Sequence, residues 1–209
     1  MRRLECELNK NKILLYSLIL SLIFSCNNLA NAQDVMVSSG KELKSVIQKA
    51  SEPTNIQFKN NIDISGWNVI PLGSNAIEID GEGKSLINEK DSRFTFVKDS
   101  SLALKNIKYE GKNAAITIYS GANPTILLDN VSISGRTTSS VSDGAVLHLD
   151  NCDATLNNVS ISSSRVNILK KITGGIVNIN AAQSKGIITD LIDNQITSSE
   201  YITGGLIYN

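Results

Sequence analysis

The sequence has few of the side chains from which disulfides, metal sites and anion-binding surfaces are built. Its 209 residues include three cysteines and one histidine, and 20 basic side chains balance 20 acidic ones. Of the cysteines only Cys152 lies beyond residue 32, so the chain after that point can form no internal disulfide. His148, the single histidine, excludes a site made of several histidines. Without a positive excess, we expect no binding to nucleic acid.

The N-terminus also lacks an apolar run long enough to cross a membrane. A basic start at residues 2–12 precedes an apolar stretch at 13–24, which is shorter than the roughly 20 residues of a spanning helix. The segment Ala30-Asn31-Ala32 then has the small-x-small form of a cleavage site. This pattern predicts a signal peptide over residues 1–32, cut before Gln33, and export through the Sec pathway. Lipidation at Cys26 is the alternative, since the residues before it resemble a lipoprotein box.

A repeat of thirty residues is present in the second half of the chain. Gly144, Gly174 and Gly204 each open an apolar run, and Ala114 opens a similar run one period earlier. A fixed period of this length is typical of a solenoid, in which successive coils stack along one axis. We therefore interpret the glycines as structural residues at the turns of a repeating unit.

A second repeat centres on Asn106, Asn130 and Asn158. Each asparagine interrupts a stretch of alternating apolar residues, as in Leu-Ala-Leu-Lys-Asn-Ile-Lys-Tyr. The pattern predicts a strand, a one-residue corner and another strand. If coils stack about 4.8 Å apart, the three amides lie above one another and can form a ladder of hydrogen bonds.

These signals together predict an all-β, parallel β-helix of about five coils. Ser39 and Glu42 form a capping-box pattern before an amphipathic helix, which we expect to cover the first coil. We assign residues 33–58 to this N-terminal cap and 59–209 to the β-helix. No comparable cap follows Gly204, so we expect the chain to be the N-terminal part of a longer protein or a truncated reading frame.

The residues resemble two groups of bacterial proteins. One resemblance is to the opening of pectate-lyase-like right-handed β-helices, and the matching segments are 35–37, the helix with Leu43 and Ile47, 56–58 and 77–87. The glycine-led segments 174–178 and 204–209 are similar to repeats of autotransporter passengers and polymorphic outer membrane proteins. The resemblance implies a right-handed β-helix, an adhesin-like role and a C-terminal β-barrel translocator as the missing partner domain.

Several residues are candidates for chemistry. The carboxylates of Asp129, Asp150, Asp153 and Asp190 fall near predicted corners, where stacking could bring some together for calcium binding or glycoside cleavage. The arginines after residue 32 are at 93, 136 and 165, and none lies in a lyase signature. The stretch 136–143 is interpreted as a projecting loop, either a binding loop or a tolerated insertion.

The function that we expect is a non-enzymatic, adhesin-like surface fragment that contacts a protein or glycan of host or neighbouring cells. The alternative is a polysaccharide lyase or glycoside hydrolase of the same architecture. We assign no catalytic, cofactor-binding or metal-binding residue, and we expect the cell surface, the outer membrane or the medium as location, with the periplasm open to the fragment.

Overall fold

The described residues fold as a right-handed parallel β-helix of about four turns with one short helix. The computed structural model describes residues 32–65, 70–71, 75–90, 94–95, 101–118, 124–139, 145–150, 152–168, 172–173, 176–180, 183–198, 202–203 and 207–208. The sequence predicted about five coils. The described residues form about four turns, and four of their strands are ten residues long, beginning at Ser101, Thr125, Asp153 and Gln183.

The strands are short apart from these four. In the first half they are β1 Gln33–Val37, β2 Thr54–Phe58, β3 Ile62–Asp63, β4 Ile70–Pro71, β5 Ala76–Asp80, β6 Ser85–Ile87, β7 Phe94–Thr95, β8 Ser101–Glu110, β9 Ile116–Ile118 and β10 Thr125–Ser134, with helix α1 at Gly40–Lys49. In the second half they are β11 Thr137–Thr138, β12 Leu147–Asp150, β13 Asp153–Ser162, β14 Arg165–Ile168, β15 Ile172–Thr173, β16 Val177–Asn180, β17 Gln183–Ile192, β18 Gln195–Ser198, β19 Ile202–Thr203 and β20 Ile207–Tyr208.

All strand pairs in the described residues are parallel, as stacking of successive turns requires. The long sheet has the order β1-β2-β5-β8-β10-β13-β17, and β3 and β6 join beside it. A second sheet has the order β9-β12-β16-β20, and a third has β11-β14-β18. The second sheet contains the apolar runs behind the thirty-residue repeat, since Leu147 pairs with Val177, which pairs with Ile207.

The core consists of aliphatic side chains stacked in columns along the axis. Alternation in each strand turns every second side chain inward. Register then places like residues above one another. Two such columns are Ile77-Leu102-Ile126-Ala154 and Ile79-Leu104-Leu128-Leu156, and all eight side chains are buried. Each coil thus shares its apolar surface with the coils on either side, which makes stacking favourable.

Helix α1 covers the first end of this core. Its apolar face places Leu43 and Ile47 in the core, and the Oγ of Ser39, the N-cap residue, accepts a hydrogen bond from the N–H of Glu42 at 3.3 Å. The Glu42 carboxylate reaches back to the N–H and hydroxyl of Ser38, at 2.7 and 2.8 Å, and the first of these bonds is the largest cause that lowers its pKa. The predicted capping box is therefore present, with the reciprocal bond one residue earlier than expected.

A corner with left-handed backbone follows each of the four ten-residue strands. We call it the second corner, because the predicted bend at an asparagine inside the strand comes before it. Gly111, Gly135, Ser163 and Asp193 occupy this corner in successive turns, and all four have positive φ. Each of the first three N–H groups donates to a carbonyl of the next turn, from Gly111 to Ser134, from Gly135 to Ser162 and from Ser163 to Ile192. The first two positions are glycine because that residue adopts positive φ without steric cost.

The interpretation of residues 136–143 as a projecting loop was wrong for its first part. Thr137 and Thr138 form β11, which pairs with Arg165 and Val166 of β14, and Arg136 is buried. The threonines are polar and give no alternating apolar signal, so the sequence did not indicate this short strand. The backbone N–H of Thr137 is hydrogen-bonded to the neighbouring turn. In the described part of the chain, no helix has the length and apolar character needed to cross a membrane.

Candidate functional site

The three asparagines predicted to form a ladder lie at the bend of the long strands. Asn106, Asn130 and Asn158 have φ of 51°, 55° and 49°, the left-handed conformation that asparagine tolerates better than most residues. The Nδ2 of Asn130 donates to Oδ1 of Asn106 at 2.9 Å, and that of Asn158 donates to Oδ1 of Asn130 at 2.9 Å. Each bond joins neighbouring turns, 24 and 28 residues apart in the sequence.

A carboxylate that was not predicted as part of the ladder lies at its end. The Nδ2 of Asn106 donates to both oxygens of Asp80, at 3.1 and 3.3 Å, and the N–H of Glu82 donates to Oδ1 of Asp80 at 2.9 Å. A carboxylate only accepts hydrogen bonds, so it fixes the direction in which all three amides point. We name the set Asp80, Asn106, Asn130 and Asn158 the corner ladder.

A polar groove runs along the corner ladder on the outer surface. Its volume is about 200 Å³, and the described residues that line it are Gly83, Asn106, Ile107, Lys108, Asn130, Val131, Ser132, Asn158 and Ser160. The described lining residues carry three side-chain amides, two hydroxyls and one ammonium group. Lys108, Ser132 and Ser160 are register partners on β8, β10 and β13, so their side chains follow one another along the axis. We call this the corner groove.

A row of alternating charge lies on the outer face of the long sheet. Register places Asp80 beside Lys105 and Lys105 beside Asp129. The Nζ of Lys105 contacts Oε2 of Glu78 at 2.8 Å, and both side chains are partly exposed. The spacings between these positions match the coil length, but the alignment of Asp80 with the later copies was not predicted from the sequence.

The four carboxylates predicted to lie near corners occupy separate register positions. Asp129 pairs with Asn157, Asp150 with Asn180, Asp153 with Gln183, and Asp190 with Ser160. No two of the four are register partners. Among the described residues, no group of three or more histidine, cysteine or acidic side chains could hold a metal ion.

An apolar groove of about 140 Å³ lies at the edge where the strands of the long sheet begin. Its lining is mostly small or aliphatic, and the described residues are Pro53, Thr54, Asn55, Ala76, Ile77, Glu78, Ser101, Leu102, Ala103, Thr125 and Leu127. Glu78 lines this groove and also contacts Lys105 of the row of alternating charge. The groove therefore offers apolar contact next to a carboxylate and an ammonium group.

Tyr109 and Asn88 form a buried polar pair inside the solenoid. The Nδ2 of Asn88 donates to the Tyr109 hydroxyl at 3.0 Å and to the carbonyl of Asn113 at 2.9 Å. Burial raises the pKa of Tyr109 to about 12, despite the hydrogen bonds from Asn88 and from the backbone of Ala115 that oppose the rise. The guanidinium of Arg136 donates to Oδ1 of Asn113 at 2.6 Å and to the carbonyl of Ala145. These groups tie adjacent turns together.

Of the remaining residues that the sequence singled out, some lie in the described part of the chain and others do not. His148 lies in β12 beside Thr117 and Asn178. Cys152 is fully buried, and burial, followed by the nearby carboxylates of Asp153 and Asp150, raises the pKa of its thiol to about 11. Gln33 is the first residue of β1. Gly144, Gly174 and Gly204 lie outside the described residues, as do Arg93 and nearly all of the predicted signal peptide.

Comparisons with known proteins give the fold no named relative. No family model, no curated protein and no solved structure matched this chain. The structure defines the class of protein as a parallel β-solenoid.

Proposed function

We propose that this protein is an exported, non-enzymatic surface protein, similar in kind to an autotransporter passenger, which binds a ligand on host or neighbouring cells. The observation that carries the proposal is the corner groove. Its described lining offers amide, hydroxyl and ammonium groups on strands that are locked in register over three turns. Such groups hold a polar ligand by hydrogen bonds, and a rigid frame limits the entropy lost on binding.

The lining chemistry favours binding over cleavage. Glycoside hydrolysis uses a pair of carboxyl groups, and calcium sites use several oxygen ligands. The described residues that line the corner groove contribute no carboxylate. The resemblance of the glycine-led repeats to passenger proteins points in the same direction, and it implies a β-barrel domain as the partner for secretion.

Antibodies raised against residues 33–209 would test the location on intact cells that carry the gene. We expect them to stain unpermeabilised cells, and we expect external protease to remove the signal while a periplasmic marker stays intact. Signal that appears only after the outer membrane is opened would contradict a surface role. The same cells with the gene deleted provide the control for antibody specificity.

The charged row favours one alternative, a polysaccharide-cleaving enzyme. Asp80 and Asp129 flank Lys105 on one outer face, and two strand spacings separate them by about 10 Å, the upper end of the range for a pair of glycosidase carboxyls. Asp80, however, is already bound to Asn106 and to the N–H of Glu82. The test is product release from polygalacturonate or alginate. Turnover that disappears in Asp129→Asn would establish the enzyme, and its absence removes this alternative.

A further inference from the structure

The corner groove has a regular geometry that suits a linear ligand. Its side chains belong to β8, β10 and β13, which lie in consecutive turns. Adjacent strands are about 4.8 Å apart, so these three turns extend over about 10 Å along the solenoid axis. A chain molecule with a polar group at each interval would meet one asparagine at each turn, together with Lys108, Ser132 or Ser160.

The polar groups of the groove can both donate and accept hydrogen bonds. The Asn130 amide is exposed, and its Nδ2 carries two N–H groups, of which one donates to Asn106. The hydroxyls of Ser132 and Ser160 are half-buried and can donate or accept. Lys108 is exposed and adds one positive charge at the end of this serine row. Sugar hydroxyls require this mixture, since each one is itself a donor and an acceptor.

The backbone under the groove excludes a different kind of linear ligand, an added peptide strand. Peptides that extend a sheet bind through a free row of main-chain N–H and C=O groups. Here Ile107, Val131 and Val159 are register partners inside the long sheet, so their backbone groups already belong to its ladder. Nor do aromatic side chains occur among the described lining residues, as stacking of nucleobases would require. The remaining class is a ligand recognised by side chains.

We infer that the corner groove binds an acidic glycan of low charge density, whose hydroxyls contact Asn130, Ser132 and Ser160 and whose carboxylate pairs with Lys108. In the described lining, one ammonium group for about 10 Å of groove suits one acidic group for every two sugar rings, not a heavily sulfated chain. This inference rests on the proposed function and names the ligand class for the surface that function requires.

Binding to a hyaluronan hexasaccharide tests the inference, because that chain carries one carboxylate for each pair of sugars. The purified chain is titrated by calorimetry with this probe and with its carboxyl-reduced, neutral counterpart. We expect the acidic probe to bind about tenfold more tightly than the neutral one, the size of one hydrogen bond to a charged group. Lys108→Gln should remove this preference, whereas Lys112→Gln, at an exposed lysine outside the groove lining, should preserve it.

The serines provide a matched pair of double variants. Ser132→Val with Ser160→Val removes both hydroxyls from the groove, and we expect affinity for both probes to fall about tenfold or more. Ser134→Val with Ser162→Val makes the same change two residues further along the same strands, at register partners outside the groove lining. This control should bind within about twofold of the parent chain. Valine suits half-buried strand positions, and thermal melting verifies that all variants are folded.

Two results would overturn the inference. One is a folded parent chain that binds neither probe, and the other is an equal loss of affinity in the groove variants and their controls. The surface role is judged separately by antibody staining. Surface staining without probe binding rejects the glycan groove alone, whereas probe binding by a chain that stays inside the cell rejects the surface role alone.

Discussion

The side-chain amide of Asn130 donates to Oδ1 of Asn106 at 2.9 Å, across one turn of the solenoid, and both residues have left-handed backbone. The two facts are linked. A positive φ at the bend lets the ten-residue strand turn a corner with a single residue, and the amide that tolerates this conformation is also the one that can bond to its copy in the next turn. Asp80, at the end of the series, accepts from Asn106 and gives the ladder one direction.

Replacement of Asn130 separates the contribution of its side-chain hydrogen bonds to stability from that of its left-handed backbone. Asn130→Ala removes the bonds to Asn106 and from Asn158 and leaves a Cβ at positive φ, so we expect it to lower the free energy of unfolding by about 2–4 kcal/mol. Asn130→Gly removes the same bonds but relieves the backbone strain, and should cost about 1–2 kcal/mol. Urea denaturation followed by circular dichroism measures both values.

The control for this comparison is the neighbouring Asn157. It is exposed on the outer face of β13, and Asn157→Ala should change stability by less than about 0.5 kcal/mol. If Asn130→Ala were as mild as Asn157→Ala, the ladder would contribute nothing measurable to the stack.

The glycines of the second corner give a matched pair of a different kind. A Cβ on Gly111, where φ is 124°, would lie 2.7 Å from the carbonyl carbon of Asn88, whereas a Cβ on Gly135, where φ is 85°, would meet nothing closer than 3.5 Å. We expect Gly111→Ala to cost about 3 kcal/mol or more, because steric overlap adds to backbone strain. Gly135→Ala should cost about 1–2 kcal/mol from strain alone. Equal losses in thermal or urea melts would show that the turns can move apart at Gly111.

The buried hydroxyl of Tyr109 predicts a loss of stability in alkali. The pKa of Tyr109 is about 12 in the folded chain and near 10 in the unfolded chain. The free energy of unfolding is therefore independent of this group below pH 10. It falls as pH rises from 10 to 12, by about 2–3 kcal/mol in total. Tyr109→Phe should flatten this part of the stability profile, although it also removes the acceptor of the Asn88 amide and costs about 1–3 kcal/mol at neutral pH.

Cys152 must be replaced in the chain used for that experiment, because burial also raises the pKa of its thiol and the thiol titrates in the same range as Tyr109. The comparison is therefore made between Cys152→Ala and the same chain with Tyr109→Phe added. Two profiles with the same slope between pH 10 and 12 would contradict an assignment to Tyr109.

Much of the fold could be predicted because each turn repeats the same physical problem. Alternation of apolar residues identified strands such as β8, β10 and β13, and the polar residue that interrupts each one, Asn106 in β8, marked the bend. Stacking by thirty residues placed the later apolar runs in one sheet. These signals depend on periodicity, which can be recognised in the sequence without knowledge of the structure.

The parts that were missed are those where the repeat is broken. In the turn before β8, the three residues Gly81 to Gly83 stand where the later turns have one asparagine, so Asp80 was not aligned with Lys105 and its place in the ladder was not seen. Gly81 itself is required by close packing, since a Cβ would lie 2.7 Å from the Asn106 carbonyl oxygen. The strand at Thr137 was missed because polar residues give no alternating signal.

The thiol of Cys152 should report on opening of the solenoid. It is fully buried, and its pKa of about 11 leaves little of the reactive thiolate at pH 8. A rise of about two pKa units lowers the thiolate fraction about a hundredfold, and burial blocks the reagent as well. We therefore expect iodoacetamide to alkylate Cys152 at least about a hundredfold more slowly in the folded chain than in denaturant. Peptide mass spectrometry measures each cysteine separately, so Cys6 and Cys26 do not obscure the result. Alkylation of the folded chain as fast as the denatured one would show that the turn from β12 to β13 is open to solvent.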